Sequence, residues 1–368
     1  MHRPRVLVVD DSVVVRRLVS KALEVDDEVE VVGVAADGKI ALVNIERLQP
    51  DVVILDVAMP VMDGLTALAE IRHRWPGLPV IMFSTLTTRG AEVTLDALAL
   101  GASDYVVKPS GDDAESTMAK IRAELLPRIA ALLPQAKEAH ERASARVPQR
   151  PSRASGRVAR ASGPAQRVDI IAIGVSTGGP TALAELVPTL PASMPVPIVI
   201  VQHMPPMFTK ILSERLDNKS ELRVAEATDG ARISPGSVWI APGDRHLAID
   251  ERDRDRLHVY DGPHENSCRP SVDPLFRSVA ERYGANALGI VMTGMGSDGL
   301  RGAEHLAAAG ARLLVQDEPS SVVWGMPGFV ARAGLADAAV PLGRLRAEIL
   351  RRVAIGRDPA LLGAGAAS

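Results

Sequence analysis

Short apolar runs rich in Val, Ile and Leu alternate with helix-like segments along most of this chain, and this alternation restricts the possible folds more than any other feature. Strands that alternate with helices are joined by right-handed crossovers, so they build a parallel sheet with helices on both faces. Aromatic residues make up only 3% of the chain, so aliphatic side chains must fill the cores. The sequence therefore predicts an α/β fold.

The apolar runs form two series. The first series occupies residues 6–9, 29–34, 52–55, 80–83 and 105–107. The second occupies residues 168–173, 197–201, 238–240, 287–292 and 312–315. Residues 247–260 show the alternating pattern of an antiparallel β-hairpin. A chain of 368 residues has room for two or three domains of ordinary size, so each series is expected to form its own domain.

We therefore predict three segments and a short tail. Residues 1–133 form a (βα)5 domain, and residues 168–357 form a doubly wound, mostly parallel α/β domain with a β-hairpin. Residues 134–167 lack hydrophobic periodicity and are rich in Pro, Ser, Gly and Arg, which predicts a linker. Residues 358–368 are the C-terminal tail.

The charge of the chain gives no global reason to expect a nucleic-acid partner. It carries 42 Lys and Arg against 45 Asp and Glu, a net charge of −3. The linker is the basic exception, with 8 Lys and Arg against 2 Asp and Glu. Its arginines recur at helical spacing, but Pro148, Pro151 and Gly156 oppose a helix, so we interpret it as a solvated tether.

Other whole-chain features favour a soluble, cytoplasmic protein. The only cysteine, Cys268, excludes an intramolecular disulfide and favours a reducing compartment. No uninterrupted apolar stretch approaches the ~18 residues of a membrane helix, and we expect no signal peptide. We expect no membrane insertion and, by default, a monomer.

Polar residues follow four runs of the first series, where a parallel sheet would collect them at one edge. Asp10 and Asp11 follow the first run, Asp56 the third, Ser84 the fourth and Lys108 the fifth. Converging carboxylates repel one another unless a hard cation joins them, and Mg²⁺ fits that need. Asp56 could then attack a phosphoryl group that Lys108 and Ser84 contact. One strand-end Asp often caps a helix, but this ordered set favours a phosphoryl-transfer site.

The second series begins with a run that ends in a Gly-rich turn, residues 174–180, followed by a helix that Pro180 opens. Such a turn is typical of an anion site or of an exposed nucleophilic serine, here Ser176. The nucleotide-binding patterns G-x-G-x-x-G and P-loop Lys-Ser/Thr are absent from this turn, which weakens the anion interpretation.

A nucleophilic serine needs a base and an acid that orients the base. His203 follows the second run of this series, and Asp298 follows a Gly-rich turn after the fourth, so both could lie beside Ser176. Backbone N–H groups near Thr177 and Met295 are candidates for an oxyanion hole.

Three residues leave alternatives open. His246 and His264 also lie near strand ends, and spacing excludes neither of them as the base. Cys268 is a weaker candidate nucleophile, because the residues after it have the pattern of a loop that enters a helix.

The first domain resembles the receiver domain of response regulators over residues 3–130. The shared motifs are residues 7–12, 54–64 and 101–109. The resemblance implies that Asp56 accepts the phosphoryl group and that Ser84 and Tyr105 are switch residues. It also implies that Mg²⁺ is held with the help of Asp10, Asp11 and the Ala58 backbone.

The second domain resembles the CheB family of chemotaxis protein-glutamate methylesterases. The shared motifs are residues 174–180, 202–206, 241–246, 269–276, 293–299, 316–318 and 325–327. The resemblance implies Ser176 as nucleophile, His203 as general base and Asp298 as its orienting acid. It places Thr177 and Met295 beside the site and implies no cofactor in this domain. Departures are Val175 where alanine is common, Gly328 where a basic residue is common, and the long Arg-rich linker.

Together the two resemblances imply a phosphorylation-controlled carboxylesterase. Its substrates would be glutamate methyl esters of chemoreceptors, with deamidation of receptor glutamines as a second reaction and a chemotaxis histidine kinase as phosphodonor. Phosphorylation of Asp56 is expected to weaken the cover of the first domain over the Ser176 site. One alternative is a phosphorylation-dependent scaffold with a silent esterase fold. Another, a DNA-binding output domain, is disfavoured by the net charge of −3 over residues 168–368.

Overall fold

The computed structural model of the chain describes residues 3–25, 28–109, 113–144 and 166–357, and for residues 134–144 it describes the backbone alone. The chain divides into two compact units, Met1–Ser152 and Arg153–Ser368. Among the described helices, none is both long enough and apolar enough to cross a membrane.

The first unit contains a five-stranded parallel sheet with strand order β2-β1-β3-β4-β5. Its strands are β1 (Arg5–Val9), β2 (Glu30–Ala35), β3 (Val52–Asp56), β4 (Val80–Ser84) and β5 (Asp104–Val107). Its helices are α1 (Val13–Glu24), α2 (Gly38–Leu48), α3 (Gly64–Arg74), α4 (Thr88–Ala99) and α5 (Ala114–Ser144). The alternation of strands and helices confirms the predicted (βα)5 fold.

Four helices of the first unit begin at side chains that cap them. In each, a side-chain oxygen accepts a hydrogen bond from a backbone N–H that the first helical turn leaves unpaired, which typically contributes about 1 kcal/mol. The capping residues are Ser12 for α1, Asp37 for α2, Asp63 for α3 and Thr87 for α4.

Helix α5 extends beyond the predicted end of the first domain. It continues to Ser144, so residues 134–144 of the predicted linker have a helical backbone. Most of these residues are good helix formers, such as Ala, Glu, Lys and Gln, and a helix that has already started propagates through them. The rest of the predicted linker up to residue 165, and the tail at 358–368, lie outside the described residues.

The second unit contains a seven-stranded parallel sheet with strand order β14-β13-β12-β6-β7-β9-β8, and a separate hairpin of β10 and β11. The strands are β6 (Ile170–Val175), β7 (Ile198–Gln202), β8 (Arg223–Glu226), β9 (Ser237–Ile240), β10 (His246–Ile249), β11 (Leu257–Tyr260), β12 (Ala287–Val291), β13 (Arg312–Gln316) and β14 (Ala338–Val340). The helices are α6 (Gly179–Leu186), α7 (Pro206–Asp217), α8 (Val272–Tyr283), α9 (Leu300–Ala308), α10 (Met326–Arg332) and α11 (Leu342–Val353). The doubly wound sheet and the hairpin are confirmed.

The central strands of this sheet form its core. Every residue of β6, β7 and β12 is buried, and most are Val, Ile, Leu or Ala. Each large aliphatic side chain buried in this way contributes about 1.5–3 kcal/mol relative to exposure. The rigid centre of the sheet therefore lies directly below the three loops that carry the predicted catalytic residues.

Candidate functional site

The strand order of the first unit brings the predicted acidic residues to one edge of the sheet. Asp10 follows β1, Asp56 ends β3 and Lys108 follows β5. Strands β1 and β3 are neighbours, and β4 separates β3 from β5. Because the carboxyl ends of parallel strands share an edge, the three side chains meet there.

Lys108 joins two buried carboxylates at this edge. Its Nζ lies 2.7 Å from Asp10 Oδ2 and 2.8 Å from Asp56 Oδ1. Burial raises the pKa of Asp56, although the hydrogen bond from Lys108 opposes the rise. Burial lowers the pKa of Lys108, but its hydrogen bonds to Asp10 and Asp56 outweigh burial, so the pKa is raised. The lysine therefore remains positive between the two carboxylates.

Asp10, Asp11 and Asp56 together offer oxygen ligands for a cation. One carboxylate oxygen of each residue lies within 4.8 Å of the other two. Asp10 and Asp56 are buried and Asp11 is exposed, so the set is open to solvent on one side. Mg²⁺ prefers oxygen ligands and retains several waters, and this half-open carboxylate set fits it. Ser12 and Asp63 cap the helices that follow β1 and β3, so neither buried Asp has the capping role.

The predicted switch residues are both buried. Ser84, at the end of β4, is fully buried, and its Oγ donates to Gly90 O at 3.3 Å. Tyr105, on β5, is also buried, and burial raises the pKa of its hydroxyl. The cleft above the acidic edge is lined by Ala58 and Ser84 as well as by Asp11, Asp56 and Lys108.

The strand order of the second unit brings Ser176, His203 and Asp298 toward one edge. Strand β6 lies between β12 and β7 at the centre of the sheet. Ser176 follows β6 and His203 follows β7, and His203 N donates to Val175 O at 3.2 Å. Asp298 lies in the loop that joins β12 to α9. The three predicted residues therefore come from neighbouring strands.

Glycine permits the sharp turn that carries Ser176. Gly178 has a φ of 76°, and a Cβ there would lie 2.6 Å from the side chain of Val322. Gly294 packs directly against the serine, because a Cβ at position 294 would lie 2.9 Å from Ser176 Cβ. Ser176 N donates to Thr293 O at 3.0 Å, which ties the turn to the loop after β12. Backbone geometry thus fixes the position of Ser176.

His203 and Asp298 form a short hydrogen-bonded pair. His203 Nε2 lies 2.7 Å from Asp298 Oδ2, and the two side chains are only 13% and 3% exposed. Burial raises the pKa of Asp298, but the hydrogen bond and the charge of His203 outweigh it and lower the pKa. Burial lowers the pKa of His203, but hydrogen bonds with Asp298 and Cys268 raise it above its ordinary value. Such a carboxylate can orient an imidazole and stabilise its cationic form.

Asp298 is held by further donors that the sequence analysis did not identify. They are Asn266 Nδ2 at 2.8 Å, Ser271 Oγ at 2.7 Å, Gly299 N at 2.9 Å and Asp273 N at 3.3 Å on Oδ1, and Val272 N at 2.7 Å on Oδ2. Ser271 precedes α8, where a hydroxyl usually caps the helix, but it donates to Asp298 instead. A serine directly before a helix predicts a helix cap, so the local sequence did not indicate that Ser271 donates to Asp298.

The other ring nitrogen of His203 faces a cysteine. Cys268 Sγ lies 3.6 Å from His203 Nδ1. In the described part of the chain, Ser176 Oγ has no hydrogen-bond partner, so the serine and the histidine are not hydrogen-bonded to each other. Because Asp298 holds Nε2, Nδ1 is the nitrogen available for a proton from Ser176. Cys268 is 65 positions from His203 along the chain, and no local pattern indicated this contact.

The two rival histidines have other environments. His246 is 1% exposed, its Nε2 contacts Pro263 O at 2.9 Å, and its Nδ1 accepts from Ser271 N at 3.3 Å. Both ring nitrogens of His246 are thus occupied by the backbone, which gives it a structural role. His264 is exposed.

Thr177 and Met295 lie on the two loops that meet beside Ser176. Thr177 is buried, and its carbonyl accepts from Thr293 Oγ1 at 2.9 Å. Met295 is half-buried and directly follows Gly294, the residue packed against the serine. The structure therefore brings both predicted flanking residues to the neighbourhood of Ser176.

Comparison with known proteins gives matches to both units. A family model described as CheB methylesterase matches residues 171–349, and one described as response regulator receiver domain matches residues 6–121. A protein-glutamate methylesterase/protein-glutamine glutaminase of Trichodesmium erythraeum is 49% identical over 356 residues, 96% of this chain and 100% of that protein. A protein of the same name from a Nocardioides species is 47% identical over 366 residues, 99% of each chain. The crystal structure of the Thermotoga maritima CheB methylesterase catalytic domain is 41% identical and covers 50% of this chain and 97% of that one, with a TM-score of 0.48.

Proposed function

The chain belongs to the CheB methylesterase family, and on this premise we propose that it is a phosphorylation-controlled serine esterase that hydrolyses glutamate methyl esters on chemoreceptors. Its relatives are named for glutamate methylesterase activity, and the receiver domain supports control by phosphorylation. The main structural support is the 2.7 Å hydrogen bond between His203 and Asp298 at the sheet edge that also carries Ser176.

In the proposed reaction, Ser176 Oγ transfers its proton to His203 Nδ1 and attacks the ester carbonyl carbon. His203 then protonates the leaving methoxide, so that methanol departs and a glutamyl ester of Ser176 remains. Water, deprotonated by His203, hydrolyses this ester and restores the serine. Asp298 keeps the Nε2 proton and stabilises the imidazolium. Cys268 must move away from Nδ1 before Ser176 can use it, because Sγ lies 3.6 Å from that nitrogen and occupies the place of the serine hydroxyl.

The tetrahedral intermediate needs donors for its oxyanion. The backbone N–H groups of Thr177 and Met295 are the proposed donors, because both residues lie on loops that flank Ser176. Removal of one such donor typically costs about 2.7–4 kcal/mol of transition-state stabilisation.

Deamidation is the second proposed reaction of the same site. The relatives are also named protein-glutamine glutaminases. A glutamine side chain presents a carbonyl carbon of the same geometry, and His203 would protonate the departing amide nitrogen, so that ammonia leaves in place of methanol. The acyl intermediate and its hydrolysis would be the same for both substrates.

Control is proposed to reside in the acidic edge of the first unit. Asp56 would accept the phosphoryl group from a chemotaxis histidine kinase. Asp10, Asp11 and Asp56 would hold Mg²⁺, which supplies positive charge that favours the approach of the phosphoryl group. Lys108 would contact the phosphate as a point charge, and Ser84 and Tyr105 would change conformation in response.

The test is methanol release from methylated receptor membranes, measured with and without a small-molecule phosphodonor. We expect Ser176→Ala to abolish release and Asp56→Asn to lose the increase that the phosphodonor causes in the wild type. No release by the phosphorylated wild type would contradict the esterase proposal and favour a scaffold with a silent esterase fold.

Inhibition by the first unit has a separate test. A chain that starts after Ser144, where α5 ends, should release methanol faster than the unphosphorylated full chain. Equal rates would show that phosphorylation acts in another way than by relieving inhibition.

A further inference from the structure

The loop before α8 places one amide group between two buried carboxylates. Asn266 Nδ2 donates to Asp273 Oδ2 and to Asp298 Oδ1, both at 2.8 Å. The carboxylates themselves are deeply buried, since Asp273 is 1% exposed and Asp298 is 3% exposed. Asn266 lies at the surface, so its amide covers the pair from the solvent side.

Two carboxylates in such positions destabilise each other's charge. Burial raises the pKa of Asp273, and the negative charge of Asp298 raises it further. Two hydrogen bonds oppose this rise in the pKa of Asp273. They come from Gly302 N, at 2.7 Å, and from the amide of Asn266 that Asp273 shares with Asp298. An amide nitrogen carries two protons, and Asn266 offers one to each carboxylate.

We infer that Asn266 is a positioning residue of the esterase site, which separates Asp298 from Asp273 and so fixes the carboxylate that holds His203 Nε2. This inference rests on the proposed function for its catalytic consequence. Two hydrogen bonds of 2.8 Å and 2.7 Å connect Asn266 to His203 through the Asp298 carboxylate. Asn266 therefore acts on the base without touching it.

The backbone of the loop is shaped to present this amide. Asn266 and Ser267 have φ values of 52° and 61°. These values lie in the left-handed region, which residues other than Gly, Asn and Asp seldom adopt. The backbones of Glu265 and Cys268 pair across this turn, with hydrogen bonds of 3.1 and 2.9 Å. Arg277 anchors the loop to α8 through Glu265, with contacts of 2.7 and 2.8 Å.

The other charged groups near Asp273 and Asp298 already have partners of their own. His203 faces Asp298 directly, and Cys268 faces the far side of the His203 ring. Glu265 and Arg277 are ion-paired with each other at 2.7 Å. Loss of the Asn266 amide should therefore act on Asp273 and Asp298 first.

The test uses two neighbouring left-handed positions in the full-length chain. Asn266→Gly removes the amide and keeps a residue suited to the backbone, whereas Ser267→Gly is the matched control with the same backbone change. We expect Asn266→Gly to lower the pH-independent kcat, which is reached above the pKa of His203, about fivefold to tenfold with KM unchanged, the size of one partly solvated hydrogen bond to a charged group. Asn266→Asp should lose more, because it adds a third carboxylate. Ser267→Gly should behave as the wild type.

A second readout separates this inference from the proposed function. The pKa of His203, measured by NMR titration of the labelled imidazole, should fall in Asn266→Gly because Asp298 is no longer held in the position of its 2.7 Å hydrogen bond with Nε2, and it should be unchanged in Ser267→Gly. This titration needs no substrate, so it tests Asn266 even if the wild type released no methanol. An Asn266→Gly variant with wild-type kcat and wild-type His203 titration would overturn the inference, as would an equal loss in Ser267→Gly.

Discussion

The acidic edge of the first unit and the Ser176 edge of the second unit both lie at the carboxyl ends of parallel strands. The negative charge of their buried carboxylates is balanced by different kinds of groups. At the first edge one lysine side chain contacts Asp10 and Asp56. At the second edge Asp298 accepts hydrogen bonds from the backbone, from a serine and an asparagine, and from His203. A flexible ammonium can yield its place to a metal ion or a phosphoryl group. Backbone donors cannot move in that way, so the second edge is preorganised. The first arrangement suits a switch and the second suits a catalyst.

The sharpest test of this comparison is Asp298→Asn. The amide cannot hold the His203 Nε2 proton as a carboxylate does, so the imidazole loses its tautomer and its cationic form loses support. We expect kcat to fall by about 10⁴-fold, as in other hydrolases that lose the triad acid in this way. The measurement is methanol release at saturating receptor.

Asp273→Asn is the matched control, because Asp273 is equally buried on the same side of the site but does not contact His203. It should change kcat by less than about tenfold, the size of one neutral hydrogen bond. Equal losses in the two variants would mean that the second edge depends on burial and packing and not on the triad acid.

Lys108→Met tests the first edge. Without the ammonium, Asp10 and Asp56 face each other uncompensated, and the transferred phosphate has no cationic partner. We expect the phosphodonor to cause no increase in methanol release by this variant. Lys39→Met, at an exposed position on α2, should keep the full increase. A normal response in Lys108→Met would show that the metal ligands alone are sufficient.

Sequence patterns predicted the fold well, because buried parallel strands are continuous apolar runs. Strands β8 and β14 were missed, and both are short edge strands that are partly exposed. An edge strand has a neighbouring strand on one side alone and is partly exposed. Its residues therefore do not form the continuous apolar run that marks a buried parallel strand. The predicted first domain ends at residue 133, whereas α5 continues to Ser144 through residues that include many helix formers.

The site was predicted less completely than the fold. Ser176, His203 and Asp298 follow strands, and strand ends can be identified from the sequence. Cys268, Ser271 and Asn266 reach the same site from one loop, at 65 positions from His203 and at 27 and 32 from Asp298. Such contacts depend on how the loop folds over the sheet, which hydrophobic periodicity does not encode.

Gly294→Ala tests whether the second edge is as rigid as its hydrogen bonds indicate. A Cβ there would lie 2.4 Å from Met326 Sδ and 2.9 Å from Ser176 Cβ, so Ser176 or its neighbours must move. We expect kcat to fall about tenfold or more, because a displacement of about 1 Å at a nucleophile is costly, and the free energy of unfolding to fall by about 1–3 kcal/mol. Gly343→Ala, in the first turn of α11, has open space around its Cβ and should lower neither quantity. Wild-type kcat in Gly294→Ala would show that the turn adapts easily.

Cys268→Ala has the smallest expected effect and examines the one contact at the second edge that competes with catalysis. The hydrogen bond with Cys268 is one cause of the raised pKa of His203, so its removal should lower that pKa. The general base must be neutral, and activity therefore rises as pH increases through this pKa. The rising limb of the profile of kcat/KM against pH should move to lower pH. We expect a gain in kcat/KM of about twofold to threefold near pH 7, which corresponds to a shift of less than one pKa unit. Cys268→Ser keeps an atom that can accept a hydrogen bond from the protonated ring at Nδ1, and it should leave the limb nearer to that of the wild type. An unmoved limb in Cys268→Ala would mean that the thiol lies beside His203 without influencing its titration.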